Sequence, residues 1–234
     1  MIRYVKYLGL SMLITLLFVA SGCRKNRLEP TVPDSGFDYF PSEIGNTWVY
    51  QVDSIRFNPF AAGQKIDTFT FFIKHVVSDT TRDNNGIKNS IISSFRSNEE
   101  FGDYTFERSF ARRIVDFRAE TIESNVRTIN LVFPPTVFKY WDTNAFNTKK
   151  EEENEIIEAL SSEQIGQTRY DSTVHVLQRD DDFKTLRNYG LEKYAKHKGL
   201  VYSHQIHWTK KTLGDTSEIP EGYDYTYILK RFTK

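Results

Sequence analysis

A single cysteine, Cys23, stands directly after Ala20-Ser21-Gly22. Small residues let a chain lie extended in a peptidase groove, and a thiol immediately behind them is placed for alkylation by a diacylglycerol. Upstream, Leu8 to Ala20 is apolar except for Gly9, Ser11 and Thr15, and the head of the chain carries Arg3 and Lys6. Basic head, apolar middle and small exit are the three parts of a secretory signal. The apolar middle falls short of the about 20 residues that a membrane-spanning helix needs. Ala20-Ser21-Gly22-Cys23 fits the bacterial lipobox, although leucine is commoner where Ala20 stands. The expectation is a lipoprotein signal over residues 1–22, removed before a Cys23 that then carries acyl chains of the palmitate class. The alternative is an ordinary signal or uncleaved anchor with Cys23 incidental. One cysteine permits no intramolecular disulfide, even in an exported protein.

The remaining chemistry-bearing residues form no recognisable constellation. The histidines are His75, His175, His197, His204 and His207. Only His204 and His207 are close, at a spacing that brings side chains together on a helix but sends them to opposite faces of a strand, and Tyr202 to Trp208 reads as strand. No glutamate is placed as in HExxH, and no cysteine could complete a zinc site. Asp180-Asp181-Asp182 and Asp83-Asn84-Asn85-Gly86 lack the alternating oxygen ligands of a calcium loop and read as turn chemistry. Glu151, Glu152, Glu153, Glu155 and Glu158 read as a solvated face. There is no G-x-S-x-G elbow, P-loop or GxGxxG. The expectations are therefore no catalytic residue, no metal site and no cofactor. A carboxylate pair for glycoside cleavage would not show in sequence. Basic and acidic side chains number 31 each, so no global field draws nucleic acid.

The elements that would carry these residues are mostly strands. Residues 23–36 comprise the lipidated Cys23 and a polar, proline-containing tether, and residues 37–234 read as one β-rich domain. Trp48, Tyr50 and Val52 alternate with Val49, Gln51 and Asp53, the period of a half-buried strand. Asp67 to Ser78 and Ile87 to Arg96 flank the Asn85-Gly86 hairpin signal. Tyr104 to Phe117, Val126 to Phe133, Arg169 to Arg179, Gly199 to Trp208 and Tyr223 to Phe232 continue the pattern. Pro134-Pro135 stops one strand, and Tyr140 to Asn147 reads as a loop. Lys149 to Leu160 is either a helix with an acidic start or an edge strand with a charged face, and Thr185 to Lys196 can hold a short helix. Nine or ten strands imply an antiparallel curved sheet, half-barrel, barrel or sandwich with one or two short helices.

Three blocks carry a resemblance. Phe40-Pro41-Ser42-Glu43-Ile44-Gly45-Asn46-Thr47-Trp48-Val49-Tyr50 resembles the opening F-P-hydrophobic-G-N-x-W-x-Y block of a group of uncharacterised envelope lipoproteins from Bacteroidota-type bacteria. Trp141 to Asn147, with Tyr170 to Val174 and Gln178, resembles their middle block. Glu192 to Tyr202 resembles their Y-A-K-G-x-G-L-V-Y block, except that His197-Lys198 replaces a glycine-hydrophobic pair, which puts the turn geometry in question. The resemblance covers most of residues 38–208 in patches. It implies a lipid-anchored β domain and transfers no catalytic residue.

Two roles follow as expectations. The first is a non-enzymatic ligand-binding or envelope-assembly protein, its partners a membrane through Cys23 and an apolar small molecule or envelope protein. The second is a carbohydrate-binding or carbohydrate-processing accessory protein. Arg24, Lys25 and Arg27 leave no acidic residue directly after Cys23; surface-exposed lipoproteins of the resembled group tend to carry acids there. The address expected is the outer membrane with the domain in the periplasm, where basic side chains can rest on anionic headgroups.

Cells carrying the wild-type chain and Cys23→Ala test this address. Mass spectrometry is expected to find acyl chains on Cys23, and the variant should lose acyl labelling and leave the membrane, since stable anchoring needs two or more chains. Protease added to intact cells should spare the domain. An unmodified thiol at Cys23, or loss of the domain while a periplasmic control survives, contradicts the corresponding half of the expectation.

Overall fold

The computed structural model describes residues 34–211 and 218–234. Cys23 and the tether as far as Pro33 lie outside the described residues. After one 3-10 turn, Phe37–Tyr39, come twelve strands: β1 Thr47–Phe57, β2 Ile66–Arg82, β3 Lys88–Ser97, β4 Thr105–Val115, β5 Arg118–Glu123, β6 Val126–Val132, β7 Tyr140–Asp142, β8 Glu153–Ile165, β9 Thr168–Phe183, β10 Leu186–Ala195, β11 Gly199–Thr209 and β12 Glu221–Thr233. They form one sheet in the order β6-β5-β4-β3-β2-β1-β12-β11-β10-β9-β8-β7, with antiparallel neighbours throughout. Every connection except the pairing of β1 with β12 joins strands consecutive in the chain. The sheet is therefore an up-and-down meander, nearly closed into a barrel.

The two edge strands, β6 and β7, are also consecutive in sequence, and side chains fasten them in place of a full ladder. The Trp141 indole and the Thr143 hydroxyl both donate to the Ile129 carbonyl, at 3.0 and 2.9 Å. The Ile129 amide donates to the Thr143 carbonyl, and the Asn147 side chain donates to the Arg127 carbonyl at 2.7 Å. The loop after β7 lays Phe146 between the guanidinium groups of Arg118 and Arg127. Nearby, the fully buried Glu120 carboxylate accepts from Arg113 at 2.8 Å and from Arg118 at 3.3 Å. A buried carboxylate this thoroughly paired avoids the several kcal/mol that an isolated buried ion would cost. Closure in this way covers the edge of β6 next to the β7 loop, while β8 beyond Ile156 keeps an open edge with a charged face.

Trp48 is 1% exposed and alternates with Tyr50 and Val52 on the inner face of β1, as its sequence pattern requires. The Trp48 indole donates to the Lys198 carbonyl at 2.6 Å and the Tyr50 hydroxyl to the Leu200 carbonyl at 3.0 Å, so β1 is tied on the inner face to the β10–β11 turn. Tyr39 and Phe40 pack with Leu131, Ile156, Val174 and Tyr194 in the same end of the barrel. Truncating buried aromatics of this size typically costs about 3–5 kcal/mol. Gly199 closes the turn at φ +78°, where a Cβ would lie 3.2 Å from the Pro41 ring, and His197 beside it takes φ 62°. The departure at His197-Lys198 is thus accommodated by His197 entering the left-handed region, with its amide bonded to the Asp38 carbonyl at 2.8 Å.

Both segments read as candidate helices are strands. Of residues 149–160, those from Glu153 onward form β8, whose register against β9 shifts three times, after Ile156, Ala159 and Ser161. These bulges place apolar residues at offsets that imitate a helix face, but only Ile156 is buried while Ile157 and Leu160 are exposed. β7 pairs only with Glu153 to Glu155, so most of β8 has the free edge that the charged composition anticipated. Thr185 to Lys196 contains β10, Leu186–Ala195. Its inward positions include Gly190 and Glu192, and a polar inner face hides the strand alternation. The Asp83–Ile87 hairpin forms as expected. Gly86 alone takes positive φ there, because the Asp83 carboxylate accepts from the Asn85 and Ile87 amides and sets the turn.

Candidate ligand-binding cavity

Away from the aromatic end, the barrel interior becomes polar. β12 projects Tyr225 and Tyr227 inward. Opposite them in register on β11 stand Gln205 and Ser203. Opposite those on β10 stand Gly190 and Glu192. Directly paired residues share a face of a sheet, so these six positions make one continuous inner wall. Gln178 of β9 and Arg108 of β4 complete a cavity of about 330 Å³ that opens to solvent. That volume lies at the lower end of the range for small-ligand sites, about 300–1,000 Å³.

Gly190 is a requirement of the wall. A Cβ there would meet Gln178 Oε1 at 2.8 Å and Gln205 Oε1 at 3.0 Å. Its absence lets Gln205 donate to Gln178 at 2.6 Å across the strand between them. The Tyr194 hydroxyl donates to the Glu192 carboxyl at 2.5 Å. Burial pushes the Glu192 carboxyl above the usual carboxylate range, while the Tyr194 bond, the Arg112 charge and Gln178 act against that shift. Burial likewise raises the Tyr50 and Tyr225 hydroxyls, so both are neutral donors at any physiological pH.

Beside the lining, along the inner face, stand further polar groups. His75 pairs in register with Ser94, and Ser94 with Arg108. His75 is 8% exposed and sits edge-on against Tyr50 and Phe110. Burial, reinforced by Arg112 and Arg108, lowers its pKa to about 3, which leaves a neutral imidazole with one donor and one acceptor. Neither ring nitrogen has a protein partner, nor do Ser94 Oγ and Arg112 Nε. The Arg112 guanidinium instead lies over Phe40, Trp48 and Phe110 at 5.3, 5.8 and 5.3 Å. Arg108 is held by Glu123 at 2.8 Å. A smaller polar hollow of about 230 Å³ shares Gln178 with the cavity and contains Glu152 and Arg179, which form an ion pair.

The residues singled out by sequence lie elsewhere. His204 bonds Asp224 at 2.9 Å and His207 bonds Asn188 at 3.3 Å, so the pair is not brought together. Among the described residues no three metal-ligating side chains converge. Asp180 to Asp182 are not in a turn: they continue β9, with Asp180 paired to Arg187 at 2.6 Å. Glu158 is not merely solvated, since with Glu163 it brackets the buried ring of His175. The sequence pattern assigns no chemical role to Glu192, Gln178, Gln205 or Arg112, and marks His75 only as one of five histidines. The one available signal was polar and glycine residues at inward positions of otherwise regular strands.

No protein-family model matches the chain and no curated protein matches it. Solved structures similar to it include the following two. One is a protein from Bacteroides fragilis described as exported and as having a YmcC-like fold, 14% identical, covering 83% of this chain and 98% of its own at a TM-score of 0.45. The other is a protein from Parabacteroides distasonis described as a lipoprotein, 14% identical with the same coverage at a TM-score of 0.40.

His75 gives the cavity a pH signature. The folded chain holds it neutral, whereas an unfolded chain protonates it near pH 6.5. Its contribution is therefore fully present above that pH and is lost as pH falls toward about 3. Denaturant unfolding at pH 7 and pH 4.5 is expected to show wild type losing about 2 kcal/mol more than His75→Phe over that interval. Equal losses would place His75 in contact with water or with an acid that carries its charge.

Proposed function

We propose that the chain is a lipid-anchored protein of the bacterial envelope, tethered through Cys23 in the outer membrane with its domain in the periplasm, and that the barrel binds a polar small molecule without transforming it. The cavity carries the binding half of this reading: a space of about 330 Å³, open to solvent, lined by Arg108, Gln178, Glu192, Ser203, Gln205 and Tyr225. Polar groups that could have been apolar at little cost to the fold call for a polar occupant. An apolar molecule, one of the partners considered from sequence, would leave several of these groups without water or hydrogen bonds, at about 1–3 kcal/mol each.

A binding role is favoured over catalysis by what the lining lacks. Ser203 has no histidine beside it among the lining residues, and Glu192 is the lining's one carboxyl. Nucleophilic catalysis needs a base within hydrogen-bond reach of the nucleophile, and both routes of glycoside cleavage need two carboxyl groups. The anchoring half rests on the signal, lipobox and tether. A domain on a short lipid tether samples the volume close to one membrane, which suits a protein that holds or presents an envelope component.

Full-length protein can be melted in the presence of small molecules extracted from its own cell envelope. Wild type is expected to gain several degrees, as mass action requires of any ligand that binds only the folded state. Ser203→Phe directs a ring into the cavity; its unliganded melting temperature should stay within a few degrees of wild type and the gain should vanish. No gain in wild type, or an equal gain in the variant, overturns the proposal that this cavity is the binding site.

A further inference from the structure

The inner face of β12 is a row of tyrosines. Tyr223 and Tyr225 are stacked, with ring centroids 5.3 Å apart and planes 27° from parallel, and Tyr225 meets Tyr227 edge to face at 5.6 Å. Tyr225 and Tyr227 line the cavity, and Tyr223 extends the row toward solvent at 42% exposure. Ser54 and Val52 of β1 pair with Tyr225 and Tyr227 on one side and with Phe69 and Phe71 of β2 on the other. The tyrosine row and a second aromatic row therefore share one face, separated by a strand with small side chains. Such a wall offers aromatic edges with their hydroxyls, an amphipathic surface suited to a ligand that is itself partly apolar and partly hydroxylated.

The polar side of the cavity restricts that ligand further. Two of the cations close by are already matched, Arg108 by Glu123 and Arg179 by Glu152, and the Arg112 charge acts on the Glu192 carboxyl. A carboxylate or phosphate would bring an unmatched charge next to Glu192. The groups left to satisfy are mixed in kind: amides of Gln178 and Gln205 and the hydroxyls of Ser203 and Tyr225 in the lining, with neutral His75, Ser94 Oγ and Arg112 Nε beside it. An anion only accepts hydrogen bonds, whereas a hydroxyl both donates and accepts. We infer that the cavity binds a neutral saccharide, one sugar ring packed by its C–H groups against the Tyr225–Tyr227 wall and its hydroxyls directed to Gln178, Gln205, Ser203 and Glu192. This rests on the ligand-binding reading above and adds the ligand's class. The cavity's size suits a chain end or a disaccharide unit, with Tyr223 receiving the next ring.

The test uses full-length protein in a detergent without a sugar headgroup, applied to an array of neutral and acidic glycans, with calorimetry on the glycans that bind. Binding to neutral glycans is expected. Tyr225→Ala and Gln205→Ala should each weaken it tenfold or more, and Tyr189→Ala, on the outer face of β10, should leave it unchanged. Should Tyr225→Ala fail to fold, Gln205→Ala with an unchanged melting temperature decides the matter. Binding confined to acidic glycans, or binding indifferent to both inner-wall substitutions, overturns the inference. A blank array overturns it as well. In that case, stabilisation by the envelope extract that Ser203→Phe abolishes would leave the cavity a binding site for another class of ligand. Absence of that stabilisation would remove the binding site too.

Discussion

Two hydrogen bonds on the inner face hold β1 to the start of β11, two places along the sheet with only β12 between them: Trp48 to the Lys198 carbonyl and Tyr50 to the Leu200 carbonyl. A meander of twelve strands has no crossover to fix how tightly it curls, and its two edges meet through a few side-chain bonds and the backbone bond from Ile129 to Thr143. The tie between β1 and β11 supplies that constraint. Both donors sit on β1 and both acceptors lie at the β10–β11 turn, so β1 lies over that turn and the aromatic end of the barrel is filled. A buried N–H or O–H left without a partner costs about 1–3 kcal/mol, which makes the tied arrangement strongly preferred over a flatter sheet. The 3-10 turn at Phe37–Tyr39 packs against the same turn through His197 and Asp38, and Tyr39 bonds Ser172 of β9 at 2.5 Å. The three sequence blocks that carry the resemblance supply the tie, its turn and the seam at Trp141, and so read physically as closure devices.

Filling one end fixes where space remains. Further along the same strands, β12 presents Tyr225 and Tyr227, and β10 and β11 present Glu192, Ser203 and Gln205. These groups are neither needed for closure nor favourable for core packing. Keeping polar side chains on an inner face forgoes the stabilisation that apolar ones would give, and several donors and acceptors beside them lack protein partners. Native proteins rarely leave buried polar atoms unpaired without a reason. The exchange of stability for a polar interior is the physical basis for assigning function to this part of the barrel.

The same division explains what could be read from the sequence. Where the inner face is apolar, as in Trp48-Val49-Tyr50 or Val126 to Phe133, strand alternation and burial agree and the strands were legible. In β10 the inner positions include Gly190 and Glu192, so the alternation of apolar residues is lost and the pattern fits a short helix equally well. In β8 the obstacle was local: three bulges displace Ile156, Ile157 and Leu160 from a period of two. The cavity itself could not be read, because Arg108, Gln178, Glu192 and Tyr225 are separated by whole strands and converge only through sheet order. Failure of sequence rules at a functional surface is the expected pattern, since such a surface breaks the local consistency that specifies the rest of a fold. His204 and His207 show the converse, a conspicuous spacing that the strand sends to two faces.

Hydrogen exchange at the Trp48 indole tests the tie between β1 and β11 most directly. If this bond fixes the curl of the sheet, the indole proton can exchange only when the whole barrel opens. Its opening free energy, measured by NMR on the full-length chain, is then expected to match the global unfolding free energy from denaturant within about 1 kcal/mol. Exchange through a local opening several kcal/mol below the global value would show that β1 and the β10–β11 turn separate while the barrel stays folded, and the tie would not be what closes it.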